Sequence, residues 1–330
     1  MSPDTHIPGS GTATVATRQI VVDIAAANEV DRVRDVGGAD LSSLAKGQPL
    51  EFGHQIAGVL FAVCPSAHAA AYLGAVETEL GLLVEQDWLL ARSQVVLCET
   101  LAACVWRHAL NWPQLAGHTA NLSAVKKARD LAAEGQRVLF PDGWQKIGGV
   151  QPVTHQAKVT DAIQELGELA CETAKESNAL MSACPSYLVK HRCTPLGDAI
   201  LTTNASSAQH EETALSQSGP TGPQPLRAWF EAQTQYVHEL VERMHKPNSL
   251  SEFARGVVDT ARGRLMHKVS IQNNTLVDWQ VVAPTDWNFA PSGPCARALE
   301  GVRSLSLAKW VVQAFDPCAP VQFVGESNHA

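Results

Sequence analysis

The chain has no CxxC pair, no Walker loop and no GxGxxG turn, so the commonest metal, nucleotide and dinucleotide signatures are absent. It also lacks an uncharged apolar run of the about 18–20 residues that cross a bilayer; its most apolar stretch, VVLCETLAACV at 95–105, is short and contains a glutamate. Positive charge is in deficit, with 25 Lys+Arg against 33 Asp+Glu and a net charge of −8, which makes nucleic acid and anionic membrane poor partners. A basic region followed by an apolar one is missing from the first residues, as is a twin-arginine pair, so the expected location is cytoplasmic. Aromatics make up only 6%.

What is present is apolar and sparsely charged. Hydrophobic residues are 45% and charged ones 18%, a balance that builds a real core and does not suit a disordered chain. At roughly 100–200 residues per domain, 330 residues allow two domains or one large one. Residues 1–17 are small and polar and read as a flexible arm, leaving 18–330 as a single domain. Residues 204–225, rich in Ser, Gln, Gly and Pro, read as a mobile linker within it.

The expected fold is mainly α with small β elements. Segments 20–26 and 29–36 alternate around Ala27-Asn28 and suggest a short hairpin. From Pro65 to Asn111 the apolar spacing is helical and too long for one helix, so two are expected, breaking near Gly81 or Gln86 and ending at Pro113. Further helices are expected over 119–134, 153–182, 226–245 and 296–315, with a second hairpin at 265–282 turning on Asn273-Asn274. The last twelve residues read as tail.

Eight cysteines, at 64, 98, 104, 171, 184, 193, 295 and 318, are too few for a disulfide scaffold and read as reduced thiols. Six of them have no partner spacing and read as small buried hydrophobes. Cys64 differs, because Pro65 starts a long helix immediately after it. The positive helix end there is expected to lower its pKa, and His68 stands one turn on, within expected hydrogen-bond reach of the sulfur. Cys318 follows Asp316-Pro317 at the end of an element. A nucleophile–base pairing of Cys64 with His68 is disfavoured, since no third orienting group or oxyanion donor is in view.

A third segment gives these cysteines a context. Arg262-Gly263-Arg264-Leu265-Met266-His267 precedes the second hairpin, Pro284-Thr285-Asp286-Trp287-Asn288 follows it, and the chain then reaches Asp316-Pro317-Cys318. Together with Cys64 and His68, this order resembles the large, catalytic subunit of nickel–iron hydrogenases. That family has CxxC with a later His, an RGxLxH segment, a PTTWN-like loop and a C-terminal DPCxxC. The resemblance covers roughly 50–112 and 250–324, and it implies a core of long packed helices with short antiparallel hairpins near the N-terminus and at 265–282.

The departures redirect the functional expectation. Two of the four thiolate positions that hold nickel and iron in the family are Phe61 and Val321 here, and apolar side chains do not bind a metal. The Glu-Gly-His element near the N-terminus is missing too. Hydrogenase catalysis is therefore not expected, and no residue is assigned a catalytic role. What the resemblance retains is the iron half of the site, with Arg262, Pro284 and Thr285 around the cyanide and carbonyl ligands, His68 beside them, and Cys64 and Cys318 as thiolates. This truncated pattern is similar to HupK/HoxV-type accessory proteins. It implies a maturation scaffold that carries or assembles an Fe(CN)2(CO) group transiently, without nickel. Such a scaffold receives the group from a HypC-type carrier chaperone and passes it to the apo large subunit. The alternative is a metal-free interaction module, a degenerate large subunit that docks hydrogenase subunits or maturation chaperones.

Overall fold

A computed structural model describes residues 18–26, 29–149, 161–189, 224–244 and 250–325. The expected arm at 1–17, Cys193 and nearly all of the expected 204–225 linker lie outside them. In chain order the main elements are strand β1 (Gln19–Asp23), strand β2 (Val33–Val36), helix α1 (Phe52–Leu60), helix α2 (Pro65–Glu79), helix α3 (Gln86–Trp106), helix α4 (Leu122–Leu139), helix α5 (Asp161–Ala179) and helix α6 (Leu226–Arg243). Strands β3 (Val257–Thr260), β4 (Gly263–Gln272) and β5 (Thr275–Val282) follow. Helices α7 (Pro284–Asn288), α8 (Pro294–Ala298) and α9 (Leu305–Gln313) and strand β6 (Val321–Val324) close the chain.

Helix α2 is the axis of the molecule. Pro65 occupies its first turn, where the missing N–H costs nothing, and an alanine-rich run carries it forward. Every residue from Ala67 to Glu77 is buried, so the helix has no solvent face along that length. Its tightest contact is backbone to backbone. A Cβ at Gly74 would lie 2.6 Å from the Gly256 nitrogen, and one at Gly256 (φ +82°) would lie 2.6 Å from the Ala71 carbonyl oxygen. Only glycines allow this approach, and it seats the start of β3 against the helix that begins at Cys64.

Helix α3 carries on past its expected stop. Residues 107–111 widen into a π turn and 112–115 resume the α-helix through Pro113. Proline has no N–H to offer the preceding turn, and the Ala109 carbonyl accepts instead from the Asn121 N–H at 2.7 Å. The run 86–115 is long and apolar enough to span a bilayer, yet 67% of its most apolar window is buried inside the protein against other helices.

The second hairpin forms as the sequence suggests. β4 and β5 pair antiparallel, and Asn273 and Asn274 both take positive φ (52° and 59°), the geometry of a two-residue turn matched to strand twist. β1 and β2 also pair antiparallel, though a helical turn at Glu29–Arg32 stands between them. Two expectations fail. The tail supplies β6, which pairs parallel with β1 in the register Ile20↔Val321. The single helix at 296–315 is split into α8 and α9, because Gly301 turns the chain at φ 76° and Ser304 then caps Leu307.

The apolar interior holds two main cores, the first around α2, α3, α4 and α5 and the second around β1, α8 and α9, and a smaller third one around Tyr72, Leu276 and Trp279. Phe61 and Cys64 pack at the edge of the first, Ala319 and Val321 at the edge of the second. The segment between, around Asp316 and Cys318, lies where the two cores meet.

Candidate functional site

Cys64 is the residue that precedes helix α2, with φ −140° and ψ 52° and its carbonyl accepting from the His68 N–H at 3.2 Å. The helix end beside it is already occupied. Glu99 reaches across from α3 and accepts from the Ser66 N–H at 2.7 Å and the Ala67 N–H at 2.9 Å. The dipole is thus satisfied by a carboxylate and does not favour a thiolate at Cys64. Burial pushes the Cys64 thiol upward, the nearby Cys318 sulfur adds to this, and Arg262 opposes it. The expected lowered pKa is corrected on those grounds.

His68 is corrected too. It makes no hydrogen bond to the Cys64 sulfur; its Nδ1 lies 2.9 Å from His267 Nε2, and Trp279 Nε1 donates to His267 Nδ1 at 3.1 Å. Phe61, standing where the resemblance places a thiolate, stacks flat on the His68 ring at 3.5 Å with an interplanar angle of 5°. That ring closes the position to a metal.

Arg262 enters from the turn between β3 and β4. Its Nε donates to the Asp316 carbonyl oxygen at 2.9 Å, and Nη2 lies 3.3 Å from the Asp316 carboxylate. The same carboxylate takes Arg107 from the π turn at 3.0 Å, while Arg107 also donates to Gln233 Oε1 and the Ala261 carbonyl oxygen. Two buried guanidinium groups therefore share one carboxylate. Arg262 Nη1 is buried and has no hydrogen-bond partner. Unpartnered buried donors are uncommon, and this one belongs to a cation felt by Cys64 and by Cys318.

The opposite wall is helix α7. Thr285 Oγ1 lies 3.0 Å from Cys318 Sγ and accepts from the Cys318 N–H at 3.3 Å, which fixes the cysteine. Pro284 packs against Gly263, whose φ of +126° favours glycine. Asp286 accepts from the Ala283 N–H at 2.6 Å and pairs with Arg18, which also pairs with Asp35 on β2. Burial works against the Arg18 charge, but those two carboxylates and the neighbouring Cys318 together raise its pKa.

All six residues named from sequence thus lie on elements that meet here. Cys64, Cys318 and Arg262 are mutually close, with Pro284 and Thr285 behind Cys318 and His68 one turn beyond Cys64. Arg18, Glu99 and Arg107 were missed. Asp286, where the PTTWN pattern has threonine, was the available hint of a compensating cation; Glu99 and Arg107 left no local trace. Arg264 pairs with Glu252 and Asp259 in a half-buried cluster. Among the described residues no three His, Cys, Asp or Glu side chains form a self-sufficient metal-binding group.

Comparison with known proteins places this geometry. Residues 224–321 match the family model described as nickel-dependent hydrogenase. The hydrogenase expression/formation protein HupK of Azotobacter vinelandii is 26% identical over 310 residues, covering 84% of this chain and 89% of that protein. HupK of Bradyrhizobium diazoefficiens is 25% identical over 88% of this chain and 91% of its own length. HoxV of Cupriavidus necator is 34% identical over 87 residues, 22% of this chain and 23% of that one. In fold, the Ni-Fe-Se hydrogenase of D. vulgaris Hildenborough superposes with a TM-score of 0.60 at 12% identity, over 87% of this chain and 92% of that one. The [NiFeSe]-hydrogenase of Dm. baculatum gives 0.58 at 13%, over 87% and 94%.

Proposed function

We propose that this chain, which is similar to the HupK and HoxV hydrogenase expression/formation proteins, serves hydrogenase formation as a scaffold for the Fe(CN)2(CO) group. It takes the group from a HypC-type carrier and hands it to the apo large subunit. The observation that carries this reading is Arg262 Nη1, a buried N–H donor without a partner on a guanidinium beside two thiols. A cyanide nitrogen on iron is an anionic acceptor, and a guanidinium in a dry setting is a strong donor to it.

Cys64 and Cys318 are the residues that would hold the iron. Binding releases their thiol protons to solvent, and unloading takes protons back. Thr285 sets the position of Cys318, Pro284 packs against Gly263 beside Arg262, and Glu99 sets the loop around Cys64. Two thiolates without nickel suit a guest that must leave again, and Phe61 fills the position a further thiolate would need. Hydrogen turnover has no place in this reading.

Protein isolated from cells with an intact maturation system is expected to contain iron and to show cyanide and carbonyl stretches in the infrared. Cys64→Ser is expected to lose both. A wild-type protein without these bands, even with carriers present, sinks the scaffold reading.

A metal-free docking module is the second reading, favoured by the raised Cys64 pKa and by the lack, among the described residues, of a third ligand. Hydrogenase activity that survives both Cys64→Ala and Cys318→Ala in vivo decides for it.

A further inference from the structure

The buried chain Trp279–His267–His68 carries information about proton position that its distances alone settle. An indole N–H only donates, so His267 Nδ1, 3.1 Å from Trp279 Nε1, must present a lone pair. A neutral imidazole has one N–H, which for His267 then sits on Nε2. That proton points at His68 Nδ1 at 2.9 Å, so Nδ1 accepts and the single proton of His68 lies on Nε2. A second proton on either ring would bring two donors face to face. Burial agrees: the three side chains are 1%, 2% and 3% exposed, and both histidines are held neutral by desolvation, His267 pushed down to about 3.

With Nδ1 engaged and one ring face covered by Phe61, Nε2 is the remaining polar atom of His68. Cys64 stands one helical turn earlier. Arg18, which sits against the Cys318 loop, is near enough for its charge to act on this ring. We infer that Trp279 and His267 are positioning residues that lock His68 in the Nε2–H tautomer, presenting one N–H donor to an anionic ligand, such as a cyanide nitrogen, held at Cys64. The tautomer stands on the hydrogen bonds alone, while the identity of the ligand rests on the scaffold reading.

The direct test is a long-range 1H–15N correlation on protein labelled at histidine nitrogen, with His68→Gln and His267→Gln used only to assign signals. His68 and His267 are both expected as pure Nε2–H tautomers between about pH 5 and 8, where free histidine is a titrating mixture. An Nδ1–H pattern at His68 in the wild type overturns the inference without recourse to any variant. Trp279→Phe keeps a ring in the aromatic cluster and removes the only fixed donor. It is expected to give mixed tautomers at both histidines, and unchanged signals there count against the relay. In iron-loaded protein the same variant is expected to shift or split the cyanide bands while leaving iron content unchanged. Identical bands overturn the donor role. If wild-type protein never shows such bands, the scaffold reading and the ligand fall together, and the histidine signals still decide the tautomer.

Discussion

Asp316 is the residue on which the site's electrostatics turn. It adopts a positive φ of 45°, a conformation that asparagine and aspartate tolerate better than most, and its carboxylate sits between Arg107 and Arg262. Asp316→Asn keeps the shape and removes the charge, leaving two buried cations facing each other. The expected loss of stability is about 3–5 kcal/mol, read from the denaturant midpoint. A midpoint within 1 kcal/mol of wild type, on the order of an ordinary surface change, is incompatible with this geometry. The buried histidines make a second prediction. His68, His108 and His267 are all held neutral by burial, so their folded pKa values lie below the unfolded value near 6.5. Below that pH the unfolded chain binds protons that the folded one does not. Stability is therefore full above about pH 6.5 and falls as pH drops toward the folded values. His267 alone accounts for about 2 kcal/mol between pH 6.5 and 5, at 1.36 kcal/mol per unit. Urea unfolding at pH 7 and pH 5 measures it, and His267→Gln should flatten part of the slope.

At the scale of elements, legibility followed the range of the forces. The Asn273-Asn274 turn was readable because its φ preference is local. So was the break between α2 and α3, where Gly81 at φ 66° ends one helix before Gln86 opens the next. The division of 296–315 was missed because apolar spacing runs on through a segment that Gly301 and Ser304 interrupt. The satisfied helix end at Cys64 was hidden for a different reason: its partner, Glu99, comes from a helix one turn of architecture away, and nothing local announces a carboxylate arriving from elsewhere. Close backbone packing is equally silent in sequence. Gly74→Ala places a methyl 2.6 Å from the Gly256 nitrogen, a contact the helix and the β3 loop must open to accommodate. The expected cost is about 1–3 kcal/mol, visible as a lowered melting temperature. Gly58→Ala, where the added Cβ meets nothing, should be neutral or mildly stabilising.

For the whole molecule, the two cores meet where the proposed cargo residues meet, and the ends of the described chain are tied together there. The β1–β6 pairing was beyond the reach of sequence pattern, since parallel strands about 300 residues apart leave no local mark. It also bears on how the site holds its shape. Removing residues 321–330 takes away β6 but leaves Cys64, Cys318, Arg262, Thr285 and Asp316 in place. Hydrogen exchange at Ile24, whose N–H donates to Val324, is expected to accelerate sharply, and on the scaffold reading the cyanide bands to broaden. Protection that persists in the truncated protein would mean the pairing does not hold the Cys318 loop.

The order of the motifs also sets a clock. Cys64 emerges from the ribosome about 250 residues before Cys318 and the strand that secures it. At 5–20 residues per second the interval is on the order of 10–50 s. Throughout it the first cysteine lacks Cys318 and β1 has an open edge, and Arg262, once made, still waits for Asp316. On the proposed scaffold reading the site is incomplete on a nascent chain and is closed in a single late step, when residues 316–324 fold back across the start of the chain.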